Sequence, residues 1–463
     1  MPGTVELRNK RVLVVGLART GIATALFCAA RGARVTATDA RSENEFGTTI
    51  DPLPSAGVLL DLGGHRQELL QETDLIIPSP GVPADAPFLQ AARAKGITIW
   101  SEIELASRFL KGRLIGITGS NGKTTTTSLI EHVLRSAGFP TLLAGNIGTP
   151  LISCVEQSSD KTITVTELSS FQLELIETFR PNISVFLNLT PDHLDRHHTL
   201  ESYAAAKARI FENQTEADSA VLNADDPGTT PYAPAKPQVY WFSRKQRVHQ
   251  GAFVAGNEIL FRREGIEEPV LKLADIPLAG AHNVENVLAA VAATRLTGAV
   301  PAAISKGVRS FAGVEHRLEF VSEIAGVRYY NDSKATNVDA TLKALDAFPG
   351  RILIILGGKD KGSDYTLLRE PLREKAVLAL LIGAAACKIE KQIAGNVAIE
   401  QAETLERAVE TAAHAARAGD VVLLAPACAS FDQFENYEHR GRVFKELVHQ
   451  LERQAASTTS GGR

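Results

Sequence analysis

The stretch RLIGITGSNGKTTTTSLIEHVLRSAG, residues 113–138, changes character twice. Arg113–Thr118 is a short apolar run of the kind that forms a buried strand, while Thr124 onward spaces its apolar residues as a helix does until Gly138. The glycine-containing break between them therefore falls at a helix N-terminus, where unpaired backbone N–H groups and the positive end of the helix dipole attract anions. Gly119 and Gly122 let the backbone wrap closely around a phosphate, Lys123 supplies a mobile cation, and the Thr124 hydroxyl suits Mg2+. The spacing is GxxGKT rather than GxxxxGK[ST], because residue 117 is isoleucine. ATP binding is the reading these residue types favour.

The rest of the chain sets that loop in a large protein. At 463 residues the sequence is too long for one core, and a soft prior of about 150 residues per domain suggests about three. Hydrophobic residues make up 44% and charged residues 22%, an ordinary globular balance. The formal net charge of -4 lacks the basic footprint of a nucleic-acid binder. Four cysteines, Cys28, Cys154, Cys387 and Cys428, lie far apart with no CxxC pair, which fits reduced thiols in the cytoplasm better than a disulfide framework. No segment approaches the ~20 apolar residues that span a bilayer, and the N-terminus has no apolar signal core, so a cytoplasmic protein without membrane insertion is expected.

Strand-like runs alternate with helix-like segments throughout: RVLVVGL, ARVTATDA, DLIIPSPG, RLIGITGS, TITVTELSS, ISVFLNLT, RILIILGG, VLALLIG and DVVLLAPA. This alternation argues for α/β architecture with parallel sheets covered by helices. Breaks near GITIWSEIELASRFLKGR and VRSFAGVEHRLEFV divide the chain into 1–101, 102–312 and 313–463, and only the tail ASTTSGGR reads as frayed.

Two further runs supply groups for a metal-bound triphosphate. TITVTELSSFQLE places Glu167 at the carboxyl end of a β-rich run, and SVFLNLTPDHLDRH does the same for Asp192, His193 and Asp195. Open α/β sheets gather ligands at the carboxyl ends of their strands, so the three stretches converge on one crevice. His193 and His197 at i,i+4 spacing also raise the possibility of zinc, but the HExxH glutamate is missing and no third ligand is evident. In the first block, Gly16 and Gly21 frame a GxAxxG turn, followed by a strand ending in Asp39, a weak dinucleotide-binding fingerprint. That pattern keeps a nicotinamide-dependent hydride-transfer enzyme in play, and the phosphate loop alone would suit a nucleotide-binding module without ligase activity.

Taken together and in order, GSNGKTT, GNIGTP, TELSSFQLE, NLTPDHLDRH, YAAAKARIFENQ, LAGAHNVENVLAA, VEHRLEFV, NDSKATN and APACASFDQFENYEHRG resemble the Mur ligases, ATP-dependent peptide-bond-forming enzymes of peptidoglycan synthesis. The resemblance covers essentially the whole chain apart from the tail. ELSSFQLE, NDSKATN and PACASFDQF are those of the branch that adds D-glutamate, and the absence of a DNPR motif counts against the diaminopimelate-adding branch.

The resemblance implies an N-terminal Rossmann-like domain, a central P-loop ATPase-like domain with a parallel sheet and a C-terminal Rossmann-like domain. It implies ligation of D-glutamate to UDP-N-acetylmuramoyl-L-alanine through an acyl phosphate, by a protein expected to be a monomer. ATP would be held by Gly119, Ser120, Asn121, Gly122, Lys123, Thr124 and Thr125, with Asn283, Arg317 and Asp332 completing the nucleotide site. Thr124, Glu167, His193 and Lys207 would hold Mg2+, two ions in all, Lys207 after taking up CO2 as a carbamate; composition alone would read Lys207 as a surface lysine of an alanine-rich helix. Lys123, His193 and Lys207 are the implied catalytic residues. The UDP substrate would meet Arg19, Thr20, Asp39, Arg41, Ser79 and Gly81, with Asn146 and Ser169 lining the phosphoryl and substrate site. D-glutamate would meet Lys334, Thr336, Lys361, Ser430, Phe431 and Tyr437. The loop GGKDKG departs slightly from the commoner family form, which leaves the parts of Lys359 and Lys361 open.

Overall fold

A computed structural model describes residues 5–278 and 280–460, apart from the side chains of Asp195 and residues 456–460. The sequence expectations for the Asp195 side chain and for residues 461–463 of the tail thus lie outside the described set, whereas residues 456–460, expected to be frayed, continue the helix Tyr437–Ser460. The chain divides into two compact units: the first runs through Ile276 and takes up Val284–Phe311, and the second takes up Pro277–Asn283 and the chain from Ala312 onward.

The first unit contains two sheets. In the N-terminal sheet, β1 (Arg11–Val15), β2 (Arg34–Asp39), β3 (Leu59–Leu62), β4 (Leu75–Pro78) and β5 (Thr98–Ile99) lie in the order β3-β2-β1-β4-β5, and every pairing is parallel. Val12–Val15 are all buried, as expected of a strand covered by helices on both faces. The connection from β1 to the helix Arg19–Ala30 turns through Gly16 at φ +89°. A Cβ on Gly21 would stand 1.9 Å from the carbonyl oxygen of Gly16, so the turn can close only with glycine there.

The second sheet comprises β6 (Arg113–Thr118), β7 (Thr141–Gly145), β8 (Ile163–Glu167), β9 (Ile183–Phe186), β10 (Ser219–Asn223), β11 (Gln238–Ser243), β12 (Gly251–Ala255), β13 (Glu258–Arg263) and β14 (Ile266–Lys272). Its order is β14-β13-β12-β11-β10-β9-β6-β8-β7. The strands from β6 to β11 pair in parallel, and two antiparallel pairings add β13 and β14 at one edge. β6 is flanked by β8 and β9, so the carboxyl ends of all three open beside the start of the helix Lys123–Ser136. One apolar cluster runs from the first sheet to the second, including Val14, Cys28, Ile77, Ile103, Leu151, Phe179 and Phe186.

The second unit holds a six-stranded sheet of β15 (Glu319–Ile324), β16 (Val327–Asn331), β17 (Ile352–Gly357), β18 (Ala376–Ile382), β19 (Ile399–Glu403) and β20 (Val421–Leu424), in the order β15-β16-β20-β17-β18-β19. β15 pairs antiparallel with β16 and the remaining pairings are parallel. All six residues of β17 are buried, and separate apolar clusters cover the two faces of the sheet. The architecture is mixed α/β with three largely parallel sheets. No helix among the described residues is long and apolar enough to cross a membrane.

Candidate active site

The loop after β6 is held in shape by its neighbour β9. The Ser120 N–H donates to the carbonyl of Asn188 at 3.0 Å, and the Asn121 N–H donates to Asn188 Oδ1 at 2.8 Å. Asn188 Nδ2 in turn donates to the carbonyl of Asn121 at 3.1 Å. The Ser120 hydroxyl donates to the carbonyl of Thr190 and accepts from its N–H, at 2.9 and 3.0 Å. Gly122 has φ +80°, and a Cβ there would lie 2.3 Å from Asn286 Oδ1. That approach requires glycine, and the Thr126 hydroxyl donates to the same Asn286 oxygen at 3.2 Å. Asn188, Thr190 and Asn286 escaped the sequence reading, although the first two belong to the quoted NLTPDHLDRH; a neutral amide or hydroxyl at a strand end carries little signal of its own.

Around this loop, charged groups are gathered away from water. Lys123 Nζ donates to the carbonyls of Gly119 and Ser120, both at 2.8 Å. Thr124, 2% exposed, donates its hydroxyl to Glu167 Oε2 at 2.8 Å, and Glu167, the last residue of β8, is itself 3% exposed. Asn146 Nδ2 donates to the other Glu167 oxygen at 3.1 Å. Ser169 caps the short helix that follows, accepting from the Gln172 N–H at 3.2 Å.

Lys207 is 1% exposed on the helix Leu200–Ala208, and its Nζ donates to the carbonyl of Gly119 at 2.9 Å. One carbonyl oxygen thus receives both lysines. Burial first, and then the positive charge of Lys123, hold the Lys207 ammonium well below the usual lysine range, against the opposing pull of Asp192 and Glu167. Lys207 is thus a buried amine whose charged form is disfavoured, not a solvated surface charge.

His193 does not share a helix face with His197. It takes φ +53° immediately before the helix Leu194–His197, with its half-exposed ring 3.6 Å from the Asp192 carboxylate and 5.0 Å from the ring of Phe171. His197 is buried, its Nε2 within 2.9 Å of the Ser170 hydroxyl and its Nδ1 3.4 Å from Glu174. Among the described residues no group of three His, Cys, Asp or Glu side chains forms a metal cluster. The oxygen pair Thr124 and Glu167 is instead the donor chemistry of a hard cation such as Mg2+.

The candidate substrate residues of the first unit lie at or just beyond the carboxyl ends of β1, β2 and β4. Asp39 Oδ2 accepts from the Leu17 N–H at 2.7 Å and from Arg41 at 3.0 Å. Burial pushes this carboxyl up, but Arg41 and the N–H groups of Arg41 and Leu17 outweigh it and bring it to about 2. The Ser79 hydroxyl donates to the carbonyl of Gly16 at 2.7 Å, and Thr20 accepts from the Thr24 hydroxyl at 2.8 Å. Arg19 donates to the carbonyl of Gly148 at 2.7 Å, tying the first turn to the GNIGTP loop. A Cβ on Gly81 would meet nothing within 4 Å, so that loop is open. Arg196, also unforeseen, donates to the carbonyls of Pro80 and Val82 at 2.8 and 3.1 Å while lying over the Phe171 ring.

The remaining candidates belong to the second unit. Asn283 is buried, its N–H donating to the carbonyl of Gly280 at 3.0 Å. Burial pushes the Asp332 carboxyl up to about 7, opposed by the charge of Arg317 and the Leu318 N–H. Lys334 Nζ lies 5.0 Å from the Tyr437 ring centre, and the Ser333 hydroxyl donates to the carbonyl of Tyr437 at 2.8 Å. Thr336 is half-buried, Ser430 is buried, Lys361 is exposed and Phe431 is 66% exposed.

Comparison with known proteins agrees from end to end. Residues 10–101 match the model of the MurD-like N-terminal domain of Mur ligases, residues 117–294 that of the Mur ligase middle domain, and residues 316–428 that of the glutamate ligase domain of Mur ligases. The UDP-N-acetylmuramoylalanine–D-glutamate ligase of Koribacter versatilis is 54% identical over 97% of this chain and 99% of its own. The enzyme of the same name from Acidobacterium capsulatum is 54% identical over 96% and 97%. Among solved structures, MurF ligase from Thermotoga maritima in complex with ADP covers 96% of this chain and 99% of its own, with a TM-score of 0.60 at 17% identity. The UDP-N-acetylmuramate-alanine ligase MurC of the same organism covers 95% and 99%, with a TM-score of 0.58 at 20% identity. Those two likenesses concern the fold. Three consecutive domain models and near-complete relatives at this identity leave one conclusion, that the chain belongs to the Mur ligase family.

Proposed function

We infer that the groups gathered around Gly119–Thr124 carry out this chain's reaction, the ATP-dependent ligation of D-glutamate to UDP-N-acetylmuramoyl-L-alanine in peptidoglycan synthesis. The observation that carries the choice of substrate is the 54% identity, over 97% of this chain, to a ligase named for D-glutamate.

The chemistry needs an activated carboxylate, because a carboxylate anion repels an amine and has no good leaving group. Transfer of the γ-phosphoryl group to the substrate carboxylate gives ADP and an acyl phosphate. The amine of D-glutamate attacks its carbonyl carbon, the new C–N bond forms, phosphate departs from the tetrahedral intermediate and the amine sheds its proton. Catalysis rests on positioning and on cationic stabilisation of the moving phosphoryl group. The backbone from Gly119 to Thr125 cradles the phosphates, and Lys123 leaves its two carbonyl partners to meet them. Asn283, Arg317 and Asp332 are proposed nucleotide contacts.

Thr124 and Glu167, with His193 and Lys207, are the proposed holders of Mg2+, and the buried oxygen pair fits that ion. Mg2+ supplies charge neutralisation between the phosphates and the attacking carboxylate. The burial that disfavours the charged form of Lys207 supports its proposed carboxylation: from the deprotonated amine, nitrogen bonds the carbon of CO2, one proton is lost, and the amine becomes an anionic oxygen donor. Asn146 and Ser169 line the phosphoryl site. Arg19, Thr20, Asp39, Arg41, Ser79 and Gly81 receive the UDP moiety, and Lys334, Thr336, Lys361, Ser430, Phe431 and Tyr437 select D-glutamate. The proposed domain limits are 1–101, 102–312 and 313–463, a division supported by the three matched ranges. A monomer working in the cytoplasm completes the reading.

Phosphate release measured with UDP-N-acetylmuramoyl-L-alanine, ATP, Mg2+ and a panel of amino acids tests this. D-glutamate is expected to be strongly preferred; equal turnover with L-glutamate, L-alanine or diaminopimelate would overturn the choice of amino acid.

A further inference from the structure

The departure in the GGKDKG loop acquires a physical meaning in the second unit. Asp360, which sits between Lys359 and Lys361, is engaged through both carboxylate oxygens. The Tyr365 hydroxyl donates to Oδ1 at 2.8 Å and the Ser363 N–H to the same oxygen at 3.1 Å, while Lys388 Nζ donates to Oδ2 at 2.7 Å. Tyr365 is fully buried, and its oxygen lies 2.9 Å from the sulfur of Cys428. The phenol has one proton, committed to the carboxylate, so the thiol donates to the phenol oxygen. Cys428 and Tyr365 therefore donate in series toward Asp360, on which Lys388 converges as a second donor.

The chemistry of each member suits its place. Burial pushes the Cys428 thiol up to about 11, so it stays protonated and able to donate. Burial also works against ionised Asp360, but Lys388, the Tyr365 hydroxyl and the Ser363 N–H together bring its carboxyl to about 2. The Tyr365 N–H is tied separately to Gln392 Oε1 at 2.7 Å.

The two ends of this chain are also joined through the backbone. Lys359 N–H donates to the carbonyl of Ala429 at 2.8 Å, Ala429 N–H donates back at 3.2 Å, and the Gly357 N–H donates to the carbonyl of Pro426 at 2.8 Å. Lys361 follows Asp360 by one residue, and Ser430 follows Ala429 by one. Both candidate glutamate-binding side chains thus leave the backbone just beyond a double clasp, one strand of which is the buried thiol–phenol–carboxylate chain.

We propose that Tyr365 and Asp360 are positioning residues for the amino-acid substrate, fixing the spacing between Lys361 and Ser430. This rests on the assignment of Lys361 and Ser430 to D-glutamate. Neither positioning residue touches the substrate; they set the frame from which a dicarboxylate is gripped. An aromatic residue at 365 without the hydroxyl would fill the same space and leave Asp360 held by the Ser363 N–H and Lys388, cut off from Cys428.

The test uses the full chain and reads each Michaelis constant separately. Tyr365→Phe and Asp360→Asn are expected to raise KM for D-glutamate about tenfold, with kcat within about twofold and KM for ATP and for UDP-N-acetylmuramoyl-L-alanine unchanged. The double variant is expected to be no worse than the worse single one, since both cut the same chain. Cys428→Ser keeps a donor to the phenol and is expected to stay within about twofold of the parent in KM for D-glutamate. Lys361→Ala separates the two layers of the reading. If it raises KM for D-glutamate while Tyr365→Phe and Asp360→Asn do not, the positioning role is overturned alone. If it leaves that KM unchanged, the assignment of Lys361 falls and takes the positioning role with it. A parallel rise of all three KM values would mean general loosening and also overturn the proposal. Should Tyr365→Phe fail to fold, Asp360→Asn, at a half-buried loop position, decides the question.

Discussion

The surroundings of Gly119–Thr124 and those of Lys361 and Ser430 are both loops at the ends of parallel strands, yet they are built in opposite ways. Around the first, Thr124, Glu167 and Lys207 are each at most 3% exposed and reach one another or the loop through direct hydrogen bonds. Around the second, the backbone is clasped from beneath, but Lys361 is exposed and Phe431 is 66% exposed. The difference follows from the two tasks. A phosphoryl group in flight needs charges already in place and shielded from water, because reorganising them during the reaction would cost the stabilisation they provide. An amino acid chosen by its two carboxylates needs a rigid frame and accessible donors.

The sharpest way to break this contrast is Lys123→Ala. If the loop is a preformed phosphate cradle, losing its mobile cation should lower kcat by at least ~10^3-fold while the far-UV spectrum stays that of the parent. Near-parental turnover would mean that the cradle does not bind the reacting phosphates.

Lys207 comes next, because it tests what burial is for. Its pKa is lowered in the fold, so between the folded value and about 10.4 the unfolded chain binds more protons. Stability due to this group therefore rises with pH across that window, and near neutrality its burial is a net cost. Lys207→Met should accordingly melt above the parent at pH 7 while losing activity by ~10^2-fold or more. Lys207→Arg keeps length and charge but lacks a neutral amine, and should be equally inactive. Full activity of the arginine variant in CO2-depleted buffer would remove Lys207 from the metal site.

The same contrast explains what could be read before the structure. All nine strand-like runs quoted from the sequence are strands, because each carries enough consecutive apolar and β-branched residues to declare two-sided burial. The rule that ligands collect at strand carboxyl ends led directly to Glu167. The hairpins β12–β14 were not read out: GAFVA is short, EILFRR and IEEPVLK carry paired charges that break any alternation, and the signal lay in the two-residue turns Gly256-Asn257 and Glu264-Gly265, where Gly256, Glu264 and Gly265 take positive φ. The i,i+4 spacing of His193 and His197, already a poor zinc signal in the sequence, is not a helical face, since His193 takes φ +53° ahead of the helix. Lys207 was legible only through family resemblance; nothing in YAAAKARIF distinguishes a buried lysine from a solvated one.

A smaller effect should come from the second region. Phe431→Ala removes an exposed ring, so stability should move by no more than about 0.5 kcal/mol, while KM for D-glutamate rises several-fold with KM for ATP unchanged. A Tm loss of many degrees would show that Phe431 supports the fold and would blur the contrast between the two regions.

The smallest effect on turnover should come from Glu102, which asks whether a buried ionisable group in the first unit must be functional. Glu102 is 1% exposed; its Oε1 accepts from the Ile152 N–H at 2.6 Å, whereas its Oε2 has no hydrogen-bond partner among the described residues. Burial pushes this carboxyl up to about 7, with the N–H groups of Ile152 and Leu151 opposing. The folded chain therefore holds a proton that the unfolded chain releases near the ordinary glutamate value. The associated stability is fully present below about pH 4.3 and is lost as pH rises toward 7. Over that window the loss is on the order of 2–3 kcal/mol. Glu102→Gln keeps an oxygen for the Ile152 N–H and removes the titration. Its Tm should therefore exceed that of the parent at pH 8 and converge with it near pH 5, while kcat and all three KM values stay within about twofold. A strong loss of activity would make Glu102 part of the catalytic apparatus. Unchanged activity with the altered pH dependence would show that burial of charge in this unit becomes functional only where, as at Lys207 and Glu167, the buried groups face the phosphate loop.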